Sequence, residues 1–179
     1  DAPAEFSLLS PEDGEQINEP FPLFDWSPAI DPDPLDIVSY TLFLDTPAPG
    51  VLIIDLDTLT YYEALEPLID NSTYHWKVAA TDINGATTEN VGGYHSFRVN
   101  TENDLPSNFA LLAPESTSMV VDLKPTLIWE VPTDADDRNR SIESYRVYLG
   151  INLANVIPDT VINNRYTPEV DLLEDTIYR

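Results

Sequence analysis

The sequence predicts an all-β protein made of two tandem β-sandwiches, the second lacking its last strands. Three observations carry this expectation. Apolar side chains recur with period two in short segments bounded by Pro, Gly, Asn and Asp, the pattern of half-buried antiparallel strands. Sixteen prolines are spread over 179 residues and no stretch holds a run at helical spacing, which argues against long helices. The chain also repeats itself: Glu5-Phe6-Ser7-Leu8-Leu9-Ser10-Pro11-Glu12 returns as Asn108-Phe109-Ala110-Leu111-Leu112-Ala113-Pro114-Glu115, an offset of 103, and such self-similarity marks a duplicated unit.

The elements of the first copy follow in order. A strand is expected over 5–9, then the turn Pro11-Glu12-Asp13-Gly14, then a strand over 21–26. Strands over 38–44, 51–54 and 59–62 come next. In the strand over 74–81, Tyr74, Trp76, Val78 and Ala80 alternate with His75, Lys77, Ala79 and Thr81. Asp82-Ile83-Asn84-Gly85 supplies an Asn-Gly turn for positive φ, and a last strand covers 94–100. Seven short strands in about 100 residues describe a two-sheet sandwich.

The second copy keeps this order. Pro22, Phe24 and Trp26 become Pro125, Leu127 and Trp129, and Asp31 and Asp33 become Asp134 and Asp136. After an insertion of two residues, Ser39-Tyr40, Leu42 and Leu44 meet Ser144-Tyr145, Val147 and Leu149. Leu68 to Tyr74 then meets Leu172 to Tyr178. The domains are expected at 1–100 and 107–179 with a linker at 101–106. Because Arg179 is the counterpart of His75, the second domain lacks most of one strand and all of the next. A piece of a longer chain is the favoured explanation, and strands donated by another segment the alternative.

These residues resemble fibronectin type III modules more than true immunoglobulin domains. Trp26 and Trp129 each follow a proline on the second strand, and no cysteine pair bridges the sheets. Leu68-x-Asp70-x-Ser72-x-Tyr74 and Leu172-x-Glu174-x-Thr176-x-Tyr178 are similar to that family's Leu-x-Pro-x-Thr-x-Tyr corner, with an acid in place of proline. The resemblance implies that each tyrosine hydroxyl bonds back to upstream backbone and pins the crossover between sheets. More narrowly, the Phe-x-Leu-Leu-x-Pro opening and the Asp-x-Asp loop after the tryptophan are similar to repeats of large bacterial secreted or surface proteins.

Composition removes several functions. With 32 Asp plus Glu against 8 Lys plus Arg, the formal charge is −24, which repels nucleic acid and anionic membranes. Zero cysteines exclude disulfides, thiolate metal sites and cysteine nucleophiles, and two histidines leave little for a histidine-based triad. The longest apolar runs, such as 51–54, are far too short to span a bilayer.

Acidic loops supply the candidate chemistry. Asp31-Pro32-Asp33-Pro34-Leu35-Asp36 and Asp134-Ala135-Asp136-Asp137 place several carboxylates at one end of each sandwich. Calcium takes six to eight oxygens, which alternate aspartates on a bent loop help to supply; Asp and Pro also initiate turns whose charge is simply solvated. Glu102 and Asp104 in the linker are further candidate ligands, since Asn103-Asp104 before Pro106 resembles part of the calcium-binding junction of cadherins. The alternative there is a short polar linker stiffened by proline. Calcium is therefore the one cofactor considered, with none as the default.

Aromatic pairs raise glycan binding: Tyr61 and Tyr62 are adjacent, so one must face outward, as do Phe43 and Tyr148 by phase. Such rings also pack beneath a neighbouring strand. His75 and His95 fall on outward phases and are expected to be solvated. No nucleophile elbow or glycine-rich phosphate loop is present, and no catalytic residue is assigned. The chain is expected to be a non-catalytic structural spacer or interaction module of a larger extracellular or cell-surface protein. Its expected partners are neighbouring domains of the same polypeptide, or a protein or glycan ligand, without nucleic acid and without membrane insertion. Calcium-dependent adhesion, glycan binding and an accessory role beside a secreted hydrolase are the alternatives.

Overall fold

The structure, a computed structural model, describes residues 1–33, 35–46, 50–136, 142–152, 154 and 156–179. Among these residues there is no α-helix, and the chain divides into two compact units, Asp1–Asn103 and Asp104–Arg179.

The first unit is a β-sandwich. Its strands are β1 (Leu8–Ser10), β2 (Glu15–Ile17), β3 (Leu23–Trp26), β4 (Ser39–Asp45), β5 (Val51–Asp55), β6 (Tyr61–Glu63), β7 (Thr73–Thr81), β8 (Thr87–Glu89) and β9 (His95–Val99). One sheet has the order β1-β3-β6, and the other β2-β9-β7-β4-β5 with β8 added to β7. The period-two pattern places Phe24 and Trp26 from one sheet against Tyr40, Leu42, Leu44, Tyr74, Trp76, Val78 and Phe97 from the other, all buried. The Phe24 ring meets Trp76 and Phe97 edge to face, with centroids 5.1 and 5.7 Å apart, geometries that suit the ring quadrupoles. Truncating Trp76, whose side chain is wholly buried, to alanine would cost roughly 3–5 kcal/mol.

Two strands lie outside the expected set. β2 pairs with β9 in parallel, Gln16 opposite Arg98, and β8 returns after the Asn84-Gly85 turn to pair with the end of β7. Both are three-residue segments whose pairing depends on distant or polar partners rather than on alternation.

The second unit reuses the frame. It holds β10 (Leu111–Ala113), β11 (Leu127–Trp129), β12 (Tyr145–Val147), β13 (Asp159–Val161) and β14 (Arg165–Tyr166), in sheets β10-β11-β14 and β12-β13. Leu8 faces Trp26 in the first unit as Leu111 faces Trp129 in the second, each pair followed by an irregularity in register. Ser10-Pro11 and Ala113-Pro114 are both cis. Tyr40 touches Phe6 and Trp26 at centroid distances of 6.0 and 5.7 Å; Tyr145 touches Phe109 and Trp129 at 6.2 and 5.3 Å. Gly150 and Arg179 exchange backbone hydrogen bonds of 3.1 and 2.9 Å, as expected for the first pair of a strand equivalent to β7. Among the described residues the second unit has no further counterpart of β7 to β9. Leu111 is 79% exposed, whereas its counterpart Leu8 is 7% exposed.

Candidate metal centre

In the first unit, the acidic loop between β3 and β4 gathers three carboxylates. Asp31, Asp33 and Asp36 each offer an oxygen, and these lie within 4.8 Å of one another. Local bonding sets the bend: Asp31 Oδ1 accepts the Asp33 N–H at 2.8 Å, and the Asp36 N–H donates to the Asp33 carbonyl. Leu35 adopts a φ of 79° inside the loop, a left-handed turn that brings Asp36 back toward the earlier acids. The other oxygen of Asp31 is inaccessible to solvent and has no hydrogen-bond partner. Among the described residues no lysine or arginine forms an ion pair with these three acids.

The loop after β7 abuts this cluster. The Asn84 side-chain amide donates to Asp36 Oδ2 at 3.0 Å. Two residues earlier, Asp82 is only 5% exposed. Its Oδ1 accepts the N–H groups of Asn84 and Ala86, each at 2.8 Å, whereas its Oδ2 is sealed from solvent without a partner. The Asp1 amino group donates to Asp33 Oδ2. That bond holds the amino group above its ordinary 8.0; desolvation opposes it, and the charges of Asp33, Asp31 and Asp82 add to it. A lone aspartate ahead of Ile-Asn-Gly reads in sequence as a turn initiator, so its burial carried no sequence signal.

The second unit repeats part of the arrangement. Asp134 Oδ1 accepts the Asp136 N–H at 3.0 Å, and the Asp104 N–H donates to Asp136 Oδ2 at 2.6 Å, the counterpart of Asp1 donating to Asp33. Among the described residues, Asp104, Asp134 and Asp136 do not join a three-acid metal group as Asp31, Asp33 and Asp36 do. Asp137 lies outside the described residues. Glu102 belongs with the corner of the first unit, its N–H donating to Asp70 Oδ1 at 3.4 Å. The Asp70 carboxylate also accepts the Thr101 N–H at 2.6 Å and its hydroxyl at 3.1 Å. The backbone bond from Thr101 is the main reason its carboxyl group lies below the ordinary 3.8. The acid that replaces the corner proline thus anchors the residues that leave the first unit.

The aromatic candidates are placed differently from one another. Tyr61 is 51% exposed, whereas Tyr62 turns inward and packs on Phe24 at 6.2 Å. Phe43 lies beneath the Lys77 ammonium, which sits 5.4 Å from its centroid and 5.0 Å from that of Tyr94 and bonds Glu89 at 2.6 Å. Tyr61 is therefore the outward ring of the expected pair. His75 is exposed, but His95 is half-buried against Trp76 at 6.1 Å rather than solvated.

No protein-family model matches the chain, and no curated protein matches its sequence. Among solved structures it is similar to the FN1–FN3 domains of chicken CNTN1, at 12% identity and a TM-score of 0.38, over 99% of this chain and 56% of that one. It is also similar to a two-domain fibronectin type III segment of chicken tenascin, at 16% identity and a TM-score of 0.34, over 98% and 86% of the two chains. CopC from Methylosinus trichosporium is a third, at 13% identity and a TM-score of 0.37, over 56% of this chain and 99% of that one. The chain thus spans about half the length of the CNTN1 segment that it matches.

Proposed function

We infer that the chain is a structural spacer or interaction module within a larger extracellular or cell-surface polypeptide, without a catalytic role. The observation that carries this reading is what the duplication preserves. The matched features are the tryptophan at the sheet interface, its aromatic neighbours and the tyrosine corner. Each of these builds the frame; the repeated residues do not form a nucleophile with its base. A charge of −24 keeps such a surface hydrated and apart from its neighbours. Among the described residues no helix is long and apolar enough to cross a membrane.

The test is a distance measurement. With a fluorophore at each end, the chain is expected to give one narrow transfer efficiency from low to high salt. A broad distribution that shifts with salt would overturn the spacer reading. Turnover of a glycoside by the purified chain would overturn its non-catalytic part.

A further inference from the structure

We propose that the free edge of β5 receives an extended segment of a partner protein, one that places apolar side chains beside Val51 and Ile53 and a lysine or arginine beside Asp55. The proposal deepens the interaction-module reading and rests on it. Among the described residues β5 pairs only with β4 and so closes one side of its sheet. The direction of its backbone groups follows from its flanks. The Leu56 N–H donates to the Tyr40 carbonyl at 2.9 Å, and the Gly50 carbonyl accepts the Thr46 N–H at 3.4 Å, so the even-numbered residues face β4. Bonding groups alternate sides along a strand, and those of Val51, Ile53 and Asp55 therefore point out from the edge. Among the described residues no other backbone segment bonds them.

Proteins blunt such edges with short strands, prolines or lysines. The other outer strands of the first unit, β1, β2, β6 and β8, have three residues each. β5 has five, Val-Leu-Ile-Ile-Asp, without proline or lysine. Val51, Leu52 and Ile53 are 50%, 48% and 61% exposed.

The register and the charge select the occupant. Ile53 lies opposite Phe43, so an apolar side chain added beside Ile53 extends an apolar row. Asp55 is exposed and accepts the Thr41 hydroxyl at 3.0 Å, and among the described residues no lysine or arginine pairs with it. A basic side chain on the added strand meets that carboxylate. A second copy of the chain fits poorly. Two β5 strands paired antiparallel about Ile53 would set Asp55 of each in the row of Val51 and Asp45 of the other. Neither β4 nor β5 holds a lysine or arginine, and each chain carries a charge of −24, so like charges oppose the pairing. Asp55 thus disfavours self-association and favours a basic strand, with main-chain bonds supplying affinity as in other strand additions.

Amide spectra of the isotope-labelled full chain, titrated with the end-blocked peptide Lys-Thr-Lys-Thr-Val-Thr-Val-Thr, test this. In antiparallel register its second lysine meets Asp55 and its valines meet Ile53 and Val51. Shifts concentrated at 51–55 are expected, with a dissociation constant below about 1 mM, and they should vanish when glutamates replace the lysines. Ile53→Pro removes an outward donor without touching a bond to β4, and is expected to abolish binding. Asp55→Lys, at an exposed position, is expected to weaken binding about threefold or more and decides the matter if the proline variant does not fold. No shifts at about 2 mM peptide, equal binding by the glutamate peptide, or shifts scattered over other acidic surfaces would overturn the proposal. A dimer of the chain alone that Ile53→Pro disperses would assign the edge to a second copy and overturn it too. None of these outcomes bears on the fluorescence distance, which is measured without peptide.

Discussion

The Tyr74 hydroxyl oxygen accepts the backbone N–H of Ile69 at 2.8 Å, closing the corner over which the chain passes from one sheet to the other. Tyr178 accepts the N–H of Leu173 at 2.9 Å in the same way. The tyrosine ring at 74 is 2% exposed and stacks on Phe97, whereas Tyr178 is half-exposed. Tyr74→Phe is therefore expected to cost about 1–2 kcal/mol in chemical denaturation, and Tyr178→Phe about half of that, because water reaches the second site. Equal losses would mean that packing around the ring does not set the worth of the bond.

Asp70 occupies the corner position where the resembled family carries proline, and its carboxylate holds the backbone of Thr101 and Glu102. Asp70→Ala is expected to speed hydrogen exchange at the Thr101 amide by about tenfold or more at neutral pH, since the amide loses its acceptor. The folded carboxyl group titrates below its ordinary 3.8. Its contribution is thus complete above that value and is lost as the pH falls through the lowered one. Protection at Thr101 should follow acidification in the parent and be independent of it in the variant, as amide exchange measured against pH would show.

How much of this was readable beforehand depended on whether a residue's role was local. Alternation alone placed Phe24, Trp26, Trp76 and Val78 in the core, because one face of each strand must leave water. It could not find β2, whose three residues pair in parallel with a strand some 80 positions later. The Asp-x-Asp spacing pointed to Asp31, Asp33 and Asp36, which share one turn. Asn84, whose side chain donates to Asp36, reaches that loop only through tertiary contact, since a strand pair at Ser39 and Thr81 brings the two loops to one end. Tyr61 and Tyr62 were legible as one inward and one outward ring, but not which was which until the register Phe24 to Tyr62 was known.

The duplication leaves one mismatch. Gly14 takes a φ of 77° after the proline turn, and its counterpart in the second unit is Thr117 with a φ of 65°. A β-branched residue in the left-handed region costs roughly 1–3 kcal/mol, part of which glycine gives back through unfolded-state entropy. Thr117→Gly is expected to stabilise the second unit by about 1 kcal/mol, and Gly14→Thr to destabilise the first by a similar or larger amount. Urea denaturation of both variants checks the pair; a Thr117→Gly chain less stable than its parent would show that the threonine side chain offsets its own strain.

Tyr166 offers a test at the alkaline end. Its hydroxyl donates to Asp159 Oδ2 at 2.5 Å, joining the short β14 to β13 across the second unit. That bond, with burial and the carboxylate charge behind it, pushes the phenol up from 10.0 to about 12. The neutral phenol is the bonded form, so its contribution to stability is complete below 10.0 and is lost as the pH rises through about 12. In an ultraviolet titration, one of the nine tyrosines should ionise well after an unperturbed phenol. Asp159→Ala should return it toward 10.0, because it removes both the hydrogen bond to the neutral phenol and the charge that opposes ionisation. If the late step persists in the variant, burial rather than Asp159 controls the phenol, and the link between β13 and β14 is packing instead of a charge-assisted bond.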